Sequence, residues 1–91
     1  MELRWTENAA DDLERIAHYL FEKTSEHAAH LVQRIYAAPA DLLIFPYRGR
    51  PGKKRGTREL VVSSLPYLVV YQINGEAVEI LRILHGAQKW P

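Results

Sequence analysis

Ninety-one residues with 47% hydrophobic content and a formal charge of +1 describe a small globular domain rather than a disordered chain. Residues 1–91 have room for one core, marginally stable by itself, and the absence of cysteine excludes disulfides and thiolate metal sites. No apolar run approaches the roughly 20 residues of a membrane span, and Glu2 and Arg4 interrupt any basic-then-apolar leader, so a soluble, cytoplasmic protein with no membrane partner is expected.

The first residues, Glu2 to Trp5, alternate polar and apolar, which predicts a short strand. Thr6 suits a helix N-cap, with Glu7 well placed against the helix dipole in the first turn. Ala9, Leu13, Ile16, Ala17 and Leu20 then recur at helical spacing and form one apolar face. Asp11 and Arg15 are expected to pair one turn apart on the other side, and the helix to end near Lys23 and Thr24. Ser25 can cap a second helix that buries Ala28, Leu31, Val32, Ile35 and, further on, Leu42. Pro39 predicts a kink, or a break with the proline in the first turn of a short third segment. Phe45-Pro46 stops the helical region. Two amphipathic helices joined by a few residues predict an antiparallel helical hairpin. His27 and His30 lie three apart on the second helix without a carboxylate cluster to complete a site, so they read as surface histidines, and neither metal nor cofactor is expected.

Arg48 to Arg58 reads RGRPGKKRGTR and holds six of the twelve Lys and Arg residues with no acid. Its glycines and proline predict a loop or strand edge. The other six cations face all eleven acids, so a weakly acidic body carries one basic patch. Such a patch is an electrostatic footprint for a polyanion, most often nucleic acid.

Everything beyond is strand: Thr57 to Ser63, then Tyr67 to Ile73, then Ala77 to His85, with Ser64-Leu65-Pro66 and Asn74-Gly75 between them. Asn-Gly between apolar runs predicts a two-residue hairpin turn with positive φ at both positions. That register places Tyr67, Val69 and Tyr71 on a face with Arg82, Ile80 and Val78. Leu68, Val70 and Gln72 then share the other face with Leu81, Glu79, Ala77 and His85. Both faces are apolar, so a partner protein covering part of the face away from the helices is the favoured expectation, the alternative being a sheet curved enough to bury that face with its own loop side chains. The fold class is α+β: a two-layer β-α-α-β-β-β domain, with the helical hairpin packed on a curved, mainly antiparallel sheet.

Taken in order, the segments ADDLERIAHYL, FPYRGRPG, GTRELVVSSLPYLVVYQI and VEILRILHGAQKWP, after the short first strand, resemble the RelE/ParE superfamily of toxins from bacterial type II toxin–antitoxin modules. The resemblance spans essentially the whole chain. It implies a cognate antitoxin laid across the helical hairpin and sheet, where Leu13, Ile16, Leu20, Leu31, Ile35, Leu68 and Leu81 fall. It also implies contact with promoter DNA only indirectly, through that antitoxin. RelE-like members cut mRNA on the ribosome, whereas ParE-like members poison DNA gyrase. Leu68 stands where the ribonuclease members commonly carry an arginine, and no tyrosine follows the last strand. Both departures favour the ParE-like branch. The effector surface would then be Arg48, Arg50, Lys53, Lys54, Arg55 and Arg58, with His85, Gln88, Lys89 and Trp90. The alternative is a ribosome-dependent mRNA endonuclease using Arg58, Arg82 and His85, with the lysines gripping phosphates; an imidazole such as that of His85 is a side chain suited to acid/base work.

Overall fold

The computed structural model describes residues 1–86, 88 and 90. In chain order these form β1 (Glu2–Trp5), α1 (Glu7–Lys23), α2 (Ala28–Ala37), a 3₁₀ helix (Ala38–Leu43), β2 (Arg50–Pro51), β3 (Thr57–Val61), β4 (Tyr67–Asn74) and β5 (Ala77–His85). The strands make one five-stranded sheet in the order β1-β5-β4-β3-β2. Strand β1 runs parallel to β5, and the remaining neighbours are antiparallel. The helices pack on this sheet, as the α+β reading expects.

Thr6 does more than cap α1. Its Oγ1 accepts from the Ala9 N–H at 3.2 Å and donates to the Ile80 carbonyl at 2.9 Å, while its own N–H also reaches Ile80 at 3.1 Å. The helix entry is thereby fastened to the middle of β5. At the other end the expected cap of α2 is corrected: His27, not Ser25, holds that position, without a side-chain cap bond. The His27 and Ala28 N–H groups both donate to Thr24 O, at 3.1 and 2.9 Å, so Ser25 lies inside the connecting turn. Pro39 breaks the helix rather than kinking it. It sits in the first turn of the 3₁₀ segment, where its missing N–H costs nothing, and that segment still delivers Leu42 to the core.

Ile35, Leu42, Val69, Tyr71, Val78, Ile80 and Ile83 form the centre of the core between helices and sheet. Burying each aliphatic side chain contributes about 1.5–3 kcal/mol before entropy is charged against it.

The β4–β5 hairpin turns one residue later than Asn74-Gly75. Asn74 pairs with Ala77, so the turn is Gly75-Glu76, and Gly75 alone of the two has positive φ, at 62°. A glycine first in a two-residue turn is the type II′ pattern, which leaves Asn74 free to extend the strand. The register moves accordingly. Tyr71 faces Ile80; then an irregularity between Val70 and Tyr71 leaves Leu81 without a partner in the register, and Val70 faces Arg82. Beyond it Tyr67 pairs with His85, not with Arg82 as the uninterrupted register predicts. No pattern in the residues around Leu81 announces this bulge.

The expectation of an uncovered second sheet face is also corrected at its centre. Val70 and Leu84, which point away from the core cluster, are 0% and 3% exposed within the chain itself. On that face Val61, at the end of β3, stays open, and the other large exposed apolar side chains lie elsewhere: Met1 ahead of β1, Tyr19 and Phe21 on α1, Tyr36 on α2, and Leu43, Ile44, Phe45 and Tyr47 at and beyond the end of the 3₁₀ helix.

Candidate functional site

The basic segment folds as a hairpin at the sheet edge. Arg50 pairs with Glu59 and Pro51 with Arg58, and the Gly52 N–H closes the loop onto Thr57 O at 2.8 Å. Its approach is held by Tyr71, whose buried hydroxyl donates to Pro46 O at 2.7 Å and accepts from the Gly49 N–H at 2.9 Å. Only glycine fits at 49: a Cβ there would sit 2.7 Å from the Tyr71 ring and 2.8 Å from Glu59 O.

The six cations divide into two sets. Arg50 pairs with Glu59 at 3.1 Å and Arg48 with Asp41 at 3.2 Å. Arg58 donates to Gly49 O at 2.9 Å and Tyr47 O at 3.3 Å, and its guanidinium lies 5.3 Å over the Tyr47 ring. These three brace the hairpin base. Lys53, Lys54 and Arg55 are exposed at the tip and form no ion pair among the described residues. Beside the base stands an apolar corner that sequence reasoning did not single out: Ile44, Phe45 and Tyr47 are 71%, 61% and 69% exposed. The run Ile-Phe-Pro-Tyr directly before the basic stretch was the available signal.

The other end of the sheet is organised around Asp12, a residue with no assigned role in the sequence reading. Asp12 is 3% exposed and accepts from Arg82 Nε at 2.7 Å, from a second Arg82 nitrogen at 3.0 Å and from the Ile83 N–H at 2.9 Å. Arg15 completes the cluster, pairing with Asp12 rather than with Asp11. The hydrogen bonds that Arg82 donates to Asp12 raise its guanidinium above the ordinary pKa. Asp12 lies between Ala9 and Ile16 on the apolar stripe of α1, and a carboxylate on a buried stripe was the signal for it.

Of the three residues proposed for nuclease chemistry, Arg58 stands apart from His85, and both arginines are engaged by other groups. Arg58 pairs across β4 with Tyr71, Arg82 is turned onto Asp12, and His85 stands beside Tyr67 with ring centroids 5.7 Å apart. Tyr71 and Tyr67 are separated by about 13 Å of strand. His85 does share a cleft with Arg15, Ile16, Tyr19, Tyr67 and Gln88. Gln88 Oε1 accepts from the His85 N–H at 2.7 Å, and burial pushes the Tyr67 phenol upward. Leu68 sits between Val61 and Leu84, an apolar setting that a cation would disrupt. Trp90 is half-buried, and Lys89 lies outside the described residues.

Of the proposed antitoxin contacts, Leu13, Ile16, Leu31, Leu68 and Leu81 are half-buried and retain some accessible surface. Ile35 and Leu20 are corrected: they are core residues, 0% and 7% exposed. A groove missed by sequence lies next to them, where Trp5 stacks on Tyr36 at 5.4 Å above Leu13, Ala17 and Val32. Among the described residues no group of three or more His, Asp or Glu is placed to hold a metal ion, and no helix is long and apolar enough to cross a membrane.

Comparison with known proteins agrees with this architecture. Residues 3–90 match the family described as the ParE toxin of type II toxin–antitoxin system, parDE. The chain is 40% identical over 89 residues to the protein Y4kP of Sinorhizobium fredii, covering 98% of this chain and 92% of that one. It is 34% identical over 84 residues to toxin RelE2 of Caulobacter vibrioides, covering 92% and 93% respectively. A solved structure from the chromosomal ParDE system of P. aeruginosa superposes with a TM-score of 0.86 at 31% identity, over 93% of this chain and 95% of the other.

Proposed function

The chain belongs to the ParE toxin family of type II toxin–antitoxin systems, and on that premise we propose that it inhibits DNA gyrase by contact, without chemistry of its own, until a cognate antitoxin neutralises it. The family assignment implies an antitoxin protein as partner. The observation that supports the gyrase reading is that Arg58 lies away from His85 along the sheet and that Arg58 and Arg82 are both bonded to internal acceptors. Transfer of a phosphoryl group needs its acid, base and charge-stabilising cation converging within hydrogen-bond reach of one phosphate. Arg58 and Arg82 are instead occupied in holding the fold. The contact surface in this reading is the hairpin tip with Lys53, Lys54 and Arg55, together with His85 and the segment Gln88 to Trp90. The antitoxin seat is the groove of Trp5, Leu13, Val32 and Tyr36 with the neighbouring Ile16 and Leu31.

One observation favours the second reading, a ribosome-dependent mRNA endonuclease. His85, Tyr67 and Arg15 line a single cleft, and their side chains cover acid/base and anion-stabilising roles. Induction in growing cells separates the two. Gyrase–DNA cleavage complexes accumulating while translation continues is the result expected; codon-specific mRNA cleavage with intact supercoiling would replace the gyrase reading by the second.

A further inference from the structure

The tip cations and the apolar corner belong to one continuous stretch of chain, and their combination is more specific than either part. Phe45 and Tyr47 stand exposed at the hairpin base. Arg58 covers one side of the Tyr47 ring and is itself fixed by two backbone carbonyls, so the ring is held in place with its remaining surface open. Lys53, Lys54 and Arg55 are consecutive in the turn that joins β2 to β3, where the Thr57 N–H donates to Lys54 O at 3.0 Å, so three cations are gathered at one tip. Glu59, the acid of the hairpin, is already paired with Arg50, and Asp41 on the 3₁₀ helix with Arg48. Exposed rings beside a track of unpaired cations are the two elements by which proteins hold single-stranded nucleic acid, bases on the rings and phosphates on the cations.

We infer that the β2–β3 hairpin with Phe45 and Tyr47 binds a single nucleic-acid strand directly, with bases stacking on the two rings and phosphates lying along Lys53, Lys54 and Arg55. The inference deepens the reading of this hairpin as the effector surface, on which it rests for its setting: the tip would meet unpaired DNA held by the target enzyme. An acidic polypeptide is the competing occupant. It would satisfy the cations, but it gives no reason for two exposed aromatic rings at the base.

The test is fluorescence anisotropy of a labelled oligothymidylate of about 15 nucleotides with the purified full chain. Three phosphate contacts predict that log affinity falls with log salt at a slope of about −2. Changing Lys53, Lys54 and Arg55 together to Ala should flatten that slope towards zero. Changing Phe45 and Tyr47 to Ala should weaken binding about tenfold or more and leave the slope intact. All five side chains are exposed, and unchanged thermal unfolding of each variant shows that the fold is retained. Blunt duplex binding as tightly as the single strand, or polyglutamate displacing the strand at equal charge concentration, overturns the inference. Gyrase inhibition without strand binding also overturns it and leaves the gyrase reading standing. Strand binding without gyrase inhibition upholds it and removes the gyrase reading instead.

Discussion

At the β5 bulge one carboxylate, Asp12, is enclosed by Arg82, Arg15 and a backbone N–H, whereas at the hairpin tip Lys53, Lys54 and Arg55 face solvent with no acid paired to them among the described residues. The two regions hold similar charge and use it oppositely. At the bulge, charge is consumed locally: leaving Asp12 or the Ile83 N–H buried without a partner would be costly, so the cluster fixes where α1 sits on the sheet. At the tip, charge is left over, and nothing in the fold depends on it. Arginine content alone therefore says little about function; the useful distinction is between cations with an internal partner and cations without one.

The largest effect expected is from Asp12→Ala. It strands the Arg82 guanidinium and the Ile83 N–H, and should cost about 3 kcal/mol in urea unfolding. In a double-mutant cycle with Arg82→Ala, the two losses should be clearly less than additive. Full additivity would mean that the pair is not the unit described here.

Tyr71→Phe is the next in size. It leaves the Pro46 carbonyl and the Gly49 N–H without their common partner, so about 1–3 kcal/mol should be lost. Faster hydrogen exchange confined to the approach around Gly49 is the signature to look for.

The tip is the opposite case. Replacing Lys53, Lys54 and Arg55 by Ala should change stability by no more than about 0.5 kcal/mol while sharply lowering toxicity and leaving antitoxin affinity nearly unaltered. Collapse of antitoxin affinity would move the tip into the neutralising interface.

The smallest effect is alkaline. Burial raises the Tyr67 phenol, so the folded state keeps its proton to higher pH than the unfolded chain. Its contribution is complete below the unfolded value near ~10 and is lost as pH rises through the folded one. Unfolding curves of Tyr67→Phe should lack that alkaline decline, and an identical decline in the variant would assign it to another group.

Residue pattern made the elements legible, because the stripe of Ala9, Leu13, Ile16 and Leu20 and the runs after Thr57 are local signals of periodicity. Thr6 was legible as a cap and Pro39 as a discontinuity, since both act through their own backbone geometry. The bulge at Leu81 was not, because it is stabilised from outside the strand, by Asp12 some seventy residues earlier. The later turn at Gly75-Glu76 carries Tyr67 from Arg82 to Leu84, and the bulge adds the last residue, to His85, which sets the composition of the cleft. The sixfold charge of the hairpin was visible at once, but its division into braces and free cations depends on Glu59, Asp41 and two carbonyls that only the fold brings near. Position on a buried stripe could have exposed Asp12, and the Ile-Phe-Pro-Tyr run could have exposed the apolar corner.

The central claim is that this toxin stops gyrase through the free end of the hairpin. It is tested most directly by titrating the purified chain, and the chain with Lys53, Lys54 and Arg55 changed to Ala, into a gyrase supercoiling reaction. Inhibition by the native chain, about tenfold or more weakened in the variant, is the predicted result. Equal inhibition by both would contradict the role of the tip, and inhibition by neither would contradict the gyrase reading itself.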